Sequence, residues 1–121
     1  MKLRITAGKV TLEAELRDTA TTRSLLAALP FDAQAQTWGD EVYFSTPVKA
    51  KLEADAQQVV APGTVCFWTE GNALALPFGR TPISTDERPK LANACNLLGT
   101  IRDFSALKQV KSGQKIRVEK G

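Results

Sequence analysis

The chain contains no histidine, two cysteines, one methionine and one tyrosine. Without imidazole there is no His-based triad, no His general base and no His metal ligand, so acid–base chemistry falls to Asp, Glu, Lys, Tyr or Cys. Cys66 and Cys95 are too few for a disulfide scaffold and wrongly spaced for a zinc site. They read as two buried thiols of a reducing compartment. Long apolar runs are also missing: Met1-Lys2-Leu3-Arg4-Ile5 alternates charge and hydrophobe, unlike a signal peptide or a membrane span. A cytoplasmic protein with no membrane partner, no metal and no cofactor is expected. There is no internal repeat and no low-complexity stretch.

What is present is a chain of 121 residues with 43% hydrophobic content spread along its whole length. That fits a single domain over residues 1–121 with a core of its own. The net charge of +3 is unevenly placed. Arg102, Lys108, Lys111, Lys115, Arg117 and Lys120 face only Asp103 and Glu119 in the last 22 residues, six charges against two. No nucleic-acid motif accompanies this basic stripe, so a solvated terminal strand is expected and a nucleic-acid partner is not.

The patterning is that of strands. Leu3 and Ile5, then Val10 and Leu12, alternate with polar residues about an Ala7-Gly8 turn, which pairs Ile5 with Val10 and Leu3 with Leu12. Thr22, Leu25, Leu26 and Leu29 share one face of a short helix started by a Thr cap and stopped by Pro30. This helix is expected to cover one end of a barrel. A second hairpin turns at Gly39-Asp40, pairing Trp38 with Glu41, Gln36 with Tyr43 and Ala35 with Phe44. One of its faces is plain core, with Ala33, Ala35, Val42 and Phe44. The other carries Gln34, Gln36, Trp38, Glu41, Tyr43 and Ser45, the mixture of aromatic and polar groups found on ligand surfaces.

Residues 47–62 read as irregular. A third hairpin places Val65, Phe67, Leu74, Leu76 and Phe78 inward and Cys66, Trp68 and Ala75 on the opposite face, with Pro77 marking an end, a bulge or an edge of its return strand. A long loop runs from Gly79 to about Pro89. A buried strand over Cys95 to Arg102, a short helix over Asp103 to Val110 and a strand over Lys115 to Glu119 complete the chain. Seven or eight strands and two short helices in this order suit a closed antiparallel barrel.

The segment from Leu97-Leu98-Gly99 through Ile101 to Val110 resembles cyclophilins, in which an apolar pair, a Gly and a strand lead straight into a short helix near the C-terminus. The likeness is closer to the small prokaryotic cyclophilin-like domain family. Its marks are Trp38-Gly39-Asp40-Glu41-Val42-Tyr43-Phe44-Ser45-Thr46-Pro47, Phe67-Trp68 with Gly71, Phe78-Gly79-Arg80-Thr81-Pro82, and Asn96 with Gly99. The resemblance implies a mostly-β, closed cyclophilin-like antiparallel barrel with two short helices, and supplies no activity of its own.

Cyclophilins catalyse prolyl isomerisation with an Arg on the strand after the first helix. Here that strand offers Gln34, Gln36 and Trp38. The cyclophilin His position falls near Cys95, and the cyclophilin run of a glutamine and two phenylalanines is replaced by Leu76-Pro77-Phe78. Typical isomerase activity is therefore not expected, and Arg80 would substitute only if its loop folds over the groove. The primary expectation is a ligand- or peptide-binding domain of unspecified ligand. Its groove would be built on the second and third hairpins from Gln36, Trp38, Glu41, Tyr43, Trp68, Phe78, Arg80 and Asn96. A weak isomerase and an accessory subunit of a larger enzyme assembly are the alternatives. Glu41, read as a turn residue contributing little to packing, is expected to tolerate Glu41→Gln with almost no change in melting temperature.

Overall fold

The computed structural model describes residues 1–121. Ten strands are β1 (Lys2–Ala7), β2 (Val10–Leu16), β3 (Phe31–Gln34), β4 (Gln36–Thr37), β5 (Glu41–Ser45), β6 (Gln57–Val59), β7 (Thr64–Trp68), β8 (Ala73–Pro77), β9 (Lys90–Ile101) and β10 (Lys115–Lys120). They join antiparallel in the order β3-β10-β1-β2-β9-β7-β8-β5-β4, with β6 pairing on β9. The two ends of that order, β3 and β4, are separated only by Ala35. Its N–H donates to the Gln114 carbonyl at 2.8 Å, and its own carbonyl accepts from the Gly113 N–H at 2.8 Å. One nearly continuous segment thus lies along both edges, and the sheet is a nearly closed barrel that leaves little open edge.

Alternation fills its interior. Leu3, Ile5, Leu12, Val42, Phe44, Val65, Phe67, Leu74, Leu76, Leu98, Ile116 and Val118 are all buried in one core. The helix α1 (Ala20–Ala27) sends Leu25 into that core, with Leu26 and Leu29 packed against it. Thr19 caps it, its Oγ1 accepting from the Thr22 N–H at 3.0 Å. Phe104–Gln109 form the expected short helix, as a 3-10 helix that buries Leu107.

Three readings of the sequence change. The first hairpin turns at Gly8-Lys9, so Ile5 opposes Leu12 and Leu3 opposes Ala14. The turn needs a positive φ at its first residue. Gly8 takes φ 60° there, which Ala7 could adopt only with strain. The shift is by two residues, so every side chain keeps its face. Second, the irregular stretch 47–62 contains β6. Third, β9 begins at Lys90, five positions before the expected start at Cys95.

Beyond Gly99, β9 also meets β2, where Leu16 opposes Gly99. A Cβ on Gly99 would fall on the Glu15 carbonyl oxygen and within 2.8 Å of Leu16 Cα, so only glycine lets these backbones approach. The register of β7 on β9 slips beside this point, pairing Val65 with Gly99 but Cys66 with Leu97. This bulge is part of how the sheet curls shut.

Candidate functional site

The outward face of β5, β8, β7 and β9 is not fully polar. Val60, Cys66, Ala75, Leu91 and Cys95 form a second apolar cluster there, with Tyr43, Trp68 and Leu97 packed on it. Over this cluster lies a cleft of about 150 Å³ lined by Trp38, Glu41, Tyr43, Trp68, Ala75, Leu91, Ala92 and Cys95. The hairpin registers build it. Tyr43 opposes Ala75, Ala75 opposes Cys66, and Glu41 opposes Pro77, so one outward row crosses three strands. The Gly39-Asp40 turn, closed by the Trp38 N–H donating to the Glu41 carbonyl at 3.0 Å, sets Trp38 beside that row.

Glu41 is the unusual member. It is 6% exposed. Its Oε1 is buried without a hydrogen-bond partner, and it takes part in none of the seven ion pairs. Burial disfavours its charged form and pushes its pKa up from 4.5 to about 7. The thiols near it respond in the same sense. Burial first, and then the Glu41 and Glu70 carboxylates, push Cys95 up to about 12. Burial, then Cys95 and Glu41, hold Cys66 well above its usual value. Both cysteines are free and buried, and thiols raised in this way are poor nucleophiles at neutral pH.

The aromatic walls are held from behind. The Trp68 Nε1–H donates to Asn93 Oδ1 at 3.1 Å. The Trp68 ring lies over Gly71, where a Cβ would collide with it. The Tyr43 hydroxyl donates to Gln36 Oε1 at 3.0 Å.

Of the eight candidate residues, Trp38, Glu41, Tyr43 and Trp68 converge on this cleft. The other four lie outside it. Gln36 is exposed and acts through Tyr43. Phe78 packs against the main barrel core from the end of β8. Arg80 is exposed in its own loop, with Nη2 donating to the Ser84 carbonyl at 3.4 Å, and does not reach over the cleft. Asn96 faces the opposite way and is fully buried. Its Nδ2 donates to Thr21 Oγ1 at 3.0 Å and to the Lys51 carbonyl at 2.9 Å, and its Oδ1 accepts from the Glu53 N–H at 2.7 Å. It ties β9 to α1 and to the loop between β5 and β6. Asn96→Ala strands these partners and is expected to cost about 3 kcal/mol, lowering the melting temperature by roughly 10 °C while leaving the cleft intact. Thermal unfolding checks this.

Leu91, Ala92 and Cys95 are cleft residues that sequence reasoning missed. They sit on the first half of β9, whose register on β6 is irregular, with Gln57 opposing Cys95 and Val59 opposing Lys90. That irregularity removes the period-two signal by which a strand is recognised. Elsewhere, a wider groove of about 490 Å³ is lined by Lys2, Glu13, Glu15, Arg102 and Asp103 among others. All five are exposed charges, and it reads as a solvated face. In the basic C-terminal strand, Arg117 and Lys115 both pair with Asp32 of β3, at 3.2 and 3.7 Å. No three His, Cys, Asp or Glu side chains gather in a way that could hold a metal ion, and no helix is long and apolar enough to cross a membrane.

A model of the cyclophilin-like family matches residues 1–119. The chain belongs to the cyclophilin-like family. The solution structure of a hypothetical protein from Archaeoglobus fulgidus is similar to this cyclophilin-like domain with a TM-score of 0.86 and 38% identity, over 100% of this chain and 95% of that one. No curated protein sequence matches it.

Proposed function

We propose that this cyclophilin-like domain is a small-molecule-binding protein whose site is the outward cleft between the Gly39-Asp40 hairpin and β9. One observation carries the reading: a carboxyl group, Glu41, is held buried and without a hydrogen-bond partner for Oε1 in a cleft that also gathers both tryptophans and the single tyrosine. Leaving a buried polar atom unpaired costs stability. An uncompensated cost of that kind at a concave aromatic surface is the physical signature of a group retained for what it binds. The apolar walls supply contact area and Glu41 supplies the polar anchor.

The isomerase alternative needs a cation over the groove, and Arg80 is engaged in its own loop. The accessory-subunit alternative needs an exposed apolar patch. The exposed large hydrophobics, Met1, Leu52 and Ile83, belong to three separate segments of the chain.

Trp38 and Trp68 are both half-buried. Their replacement by alanine is therefore expected to cost less than the roughly 3–5 kcal/mol of a fully buried Trp. The test is a fluorescence and thermal-shift screen of small amines, amides and proline peptides against the wild type, Trp38→Ala and Trp68→Ala. The expected result is a compound that shifts wild-type tryptophan emission and binds at least tenfold more weakly to folded Trp variants. If no compound perturbs the emission and both variants unfold, the aromatic face is structural packing.

A further inference from the structure

We infer that the ligand is a compact organic cation, a protonated amine on an apolar body of about six heavy atoms. The inference rests on the binding reading above and names the substrate class of the same cleft. The part of the ligand that enters the cleft is benzene-sized, since about 150 Å³ is the volume that holds such a molecule. Its charge follows from what the cleft contains and what it does not.

The lining is seven uncharged side chains and one carboxyl. No Lys or Arg is among them, and none pairs with Glu41. The other titratable groups facing Glu41 are Tyr43 from its own strand, Cys66 from β7 and Cys95 from β9. From β8 come only Ala75 and Pro77. None of these can supply a positive charge. Ionised Glu41 therefore finds no counter-charge in the cleft lining, and a cationic ligand would supply one.

Two indoles and a phenol beside the carboxyl strengthen the case. Aromatic π-systems carry a negative quadrupole that attracts ammonium groups, most strongly where water is excluded. An N–H donor would also satisfy Glu41 Oε1, the buried side-chain oxygen that lacks a partner. A neutral ligand of the same shape would gain the apolar contacts but not the charge-assisted hydrogen bond.

Binding of such a cation displaces the Glu41 proton to solvent, because the cation favours the carboxylate. Glu41 titrates at about 7 in the free protein. The ionised, binding-competent fraction thus grows about tenfold between pH 6 and pH 8, and apparent affinity grows with it.

The experiment compares piperidinium with tetrahydropyran, a neutral ring of the same shape, by tryptophan fluorescence and calorimetric titration of the full chain. Piperidinium is expected to bind at least tenfold more tightly than tetrahydropyran at pH 8, with an affinity that rises about tenfold from pH 6 to pH 8. Glu41→Gln should erase both the preference and the pH dependence. Equal affinity for the two rings, or a preference that survives Glu41→Gln, would overturn the cation inference and leave the binding reading standing. If neither ring binds and the broader amine, amide and peptide screen is also silent, the binding reading itself fails.

Discussion

Glu41→Gln is expected to melt about 10 °C above the wild type at pH 8, and within a few degrees of it at pH 4. In the unfolded chain the carboxyl ionises near 4.5; in the fold its pKa is raised to about 7. Below pH 4.5 both states hold the proton and the group contributes no pH dependence. Between 4.5 and 7 the unfolded chain releases its proton first, so stability falls as pH rises. Above 7 both states are ionised and the loss is complete. The raised pKa corresponds to about 3 kcal/mol, or roughly 10 °C for a domain of this size.

Gln keeps the shape and never ionises, so the variant escapes the loss. This reverses the expectation from sequence, in which Glu41 is a turn residue whose charge matters little. The difference is burial: the hairpin turns Glu41 away from solvent toward Trp38 and Tyr43, where its charge is poorly solvated. Melting curves of the two proteins from pH 4 to pH 8 measure the effect. Parallel curves would show that Glu41 is solvated in the fold. If the cleft is a binding site, the stabilised variant should also bind its ligand less well, the exchange of stability for activity common at functional positions.

Gly99→Ala has the largest expected effect of any single methyl. The added Cβ meets the Glu15 carbonyl oxygen and the Leu16 Cα, both backbone atoms of the paired strand β2. No rotamer change relieves such a contact. Either β2 or β9 must move, and both belong to the barrel wall, so a loss of at least ~3 kcal/mol is expected. Gly113→Ala is the control. A Cβ there meets nothing within 4 Å, but the residue sits at φ 88°. Only conformational strain of about 1–2 kcal/mol should follow. Chemical denaturation of the two variants separates collision from strain, and similar losses would mean that β2 and β9 part easily.

The barrel was legible in the sequence because period-two alternation survives in most strands. The register of the second hairpin follows from the sequence, since Gly39-Asp40 admits one good two-residue turn and places Val42 and Phe44 inward. The third hairpin was assigned the right faces for the same reason. The convergence of Trp38, Glu41, Tyr43 and Trp68 followed from those two hairpins alone.

What failed was non-local. The cleft's far wall, on residues 90–95, belongs to a strand whose irregular pairing hides its periodicity. The sequence places Asn96 among the ligand-facing residues, and no sequence pattern reveals that Thr21, Lys51 and Glu53 converge on it. The burial of Glu41 is not legible either, because its surroundings are completed by Leu91, Ala92 and Cys95 of β9, far away in sequence.

If Glu41 is the unsatisfied carboxyl that meets the ligand, a carbon-13 NMR titration of its side-chain carboxyl in the wild-type protein should show a midpoint near 7, and saturating piperidinium should lower that midpoint clearly. A midpoint near 4.5 that piperidinium leaves unmoved would mean that the carboxyl is solvated in the fold and meets no cation.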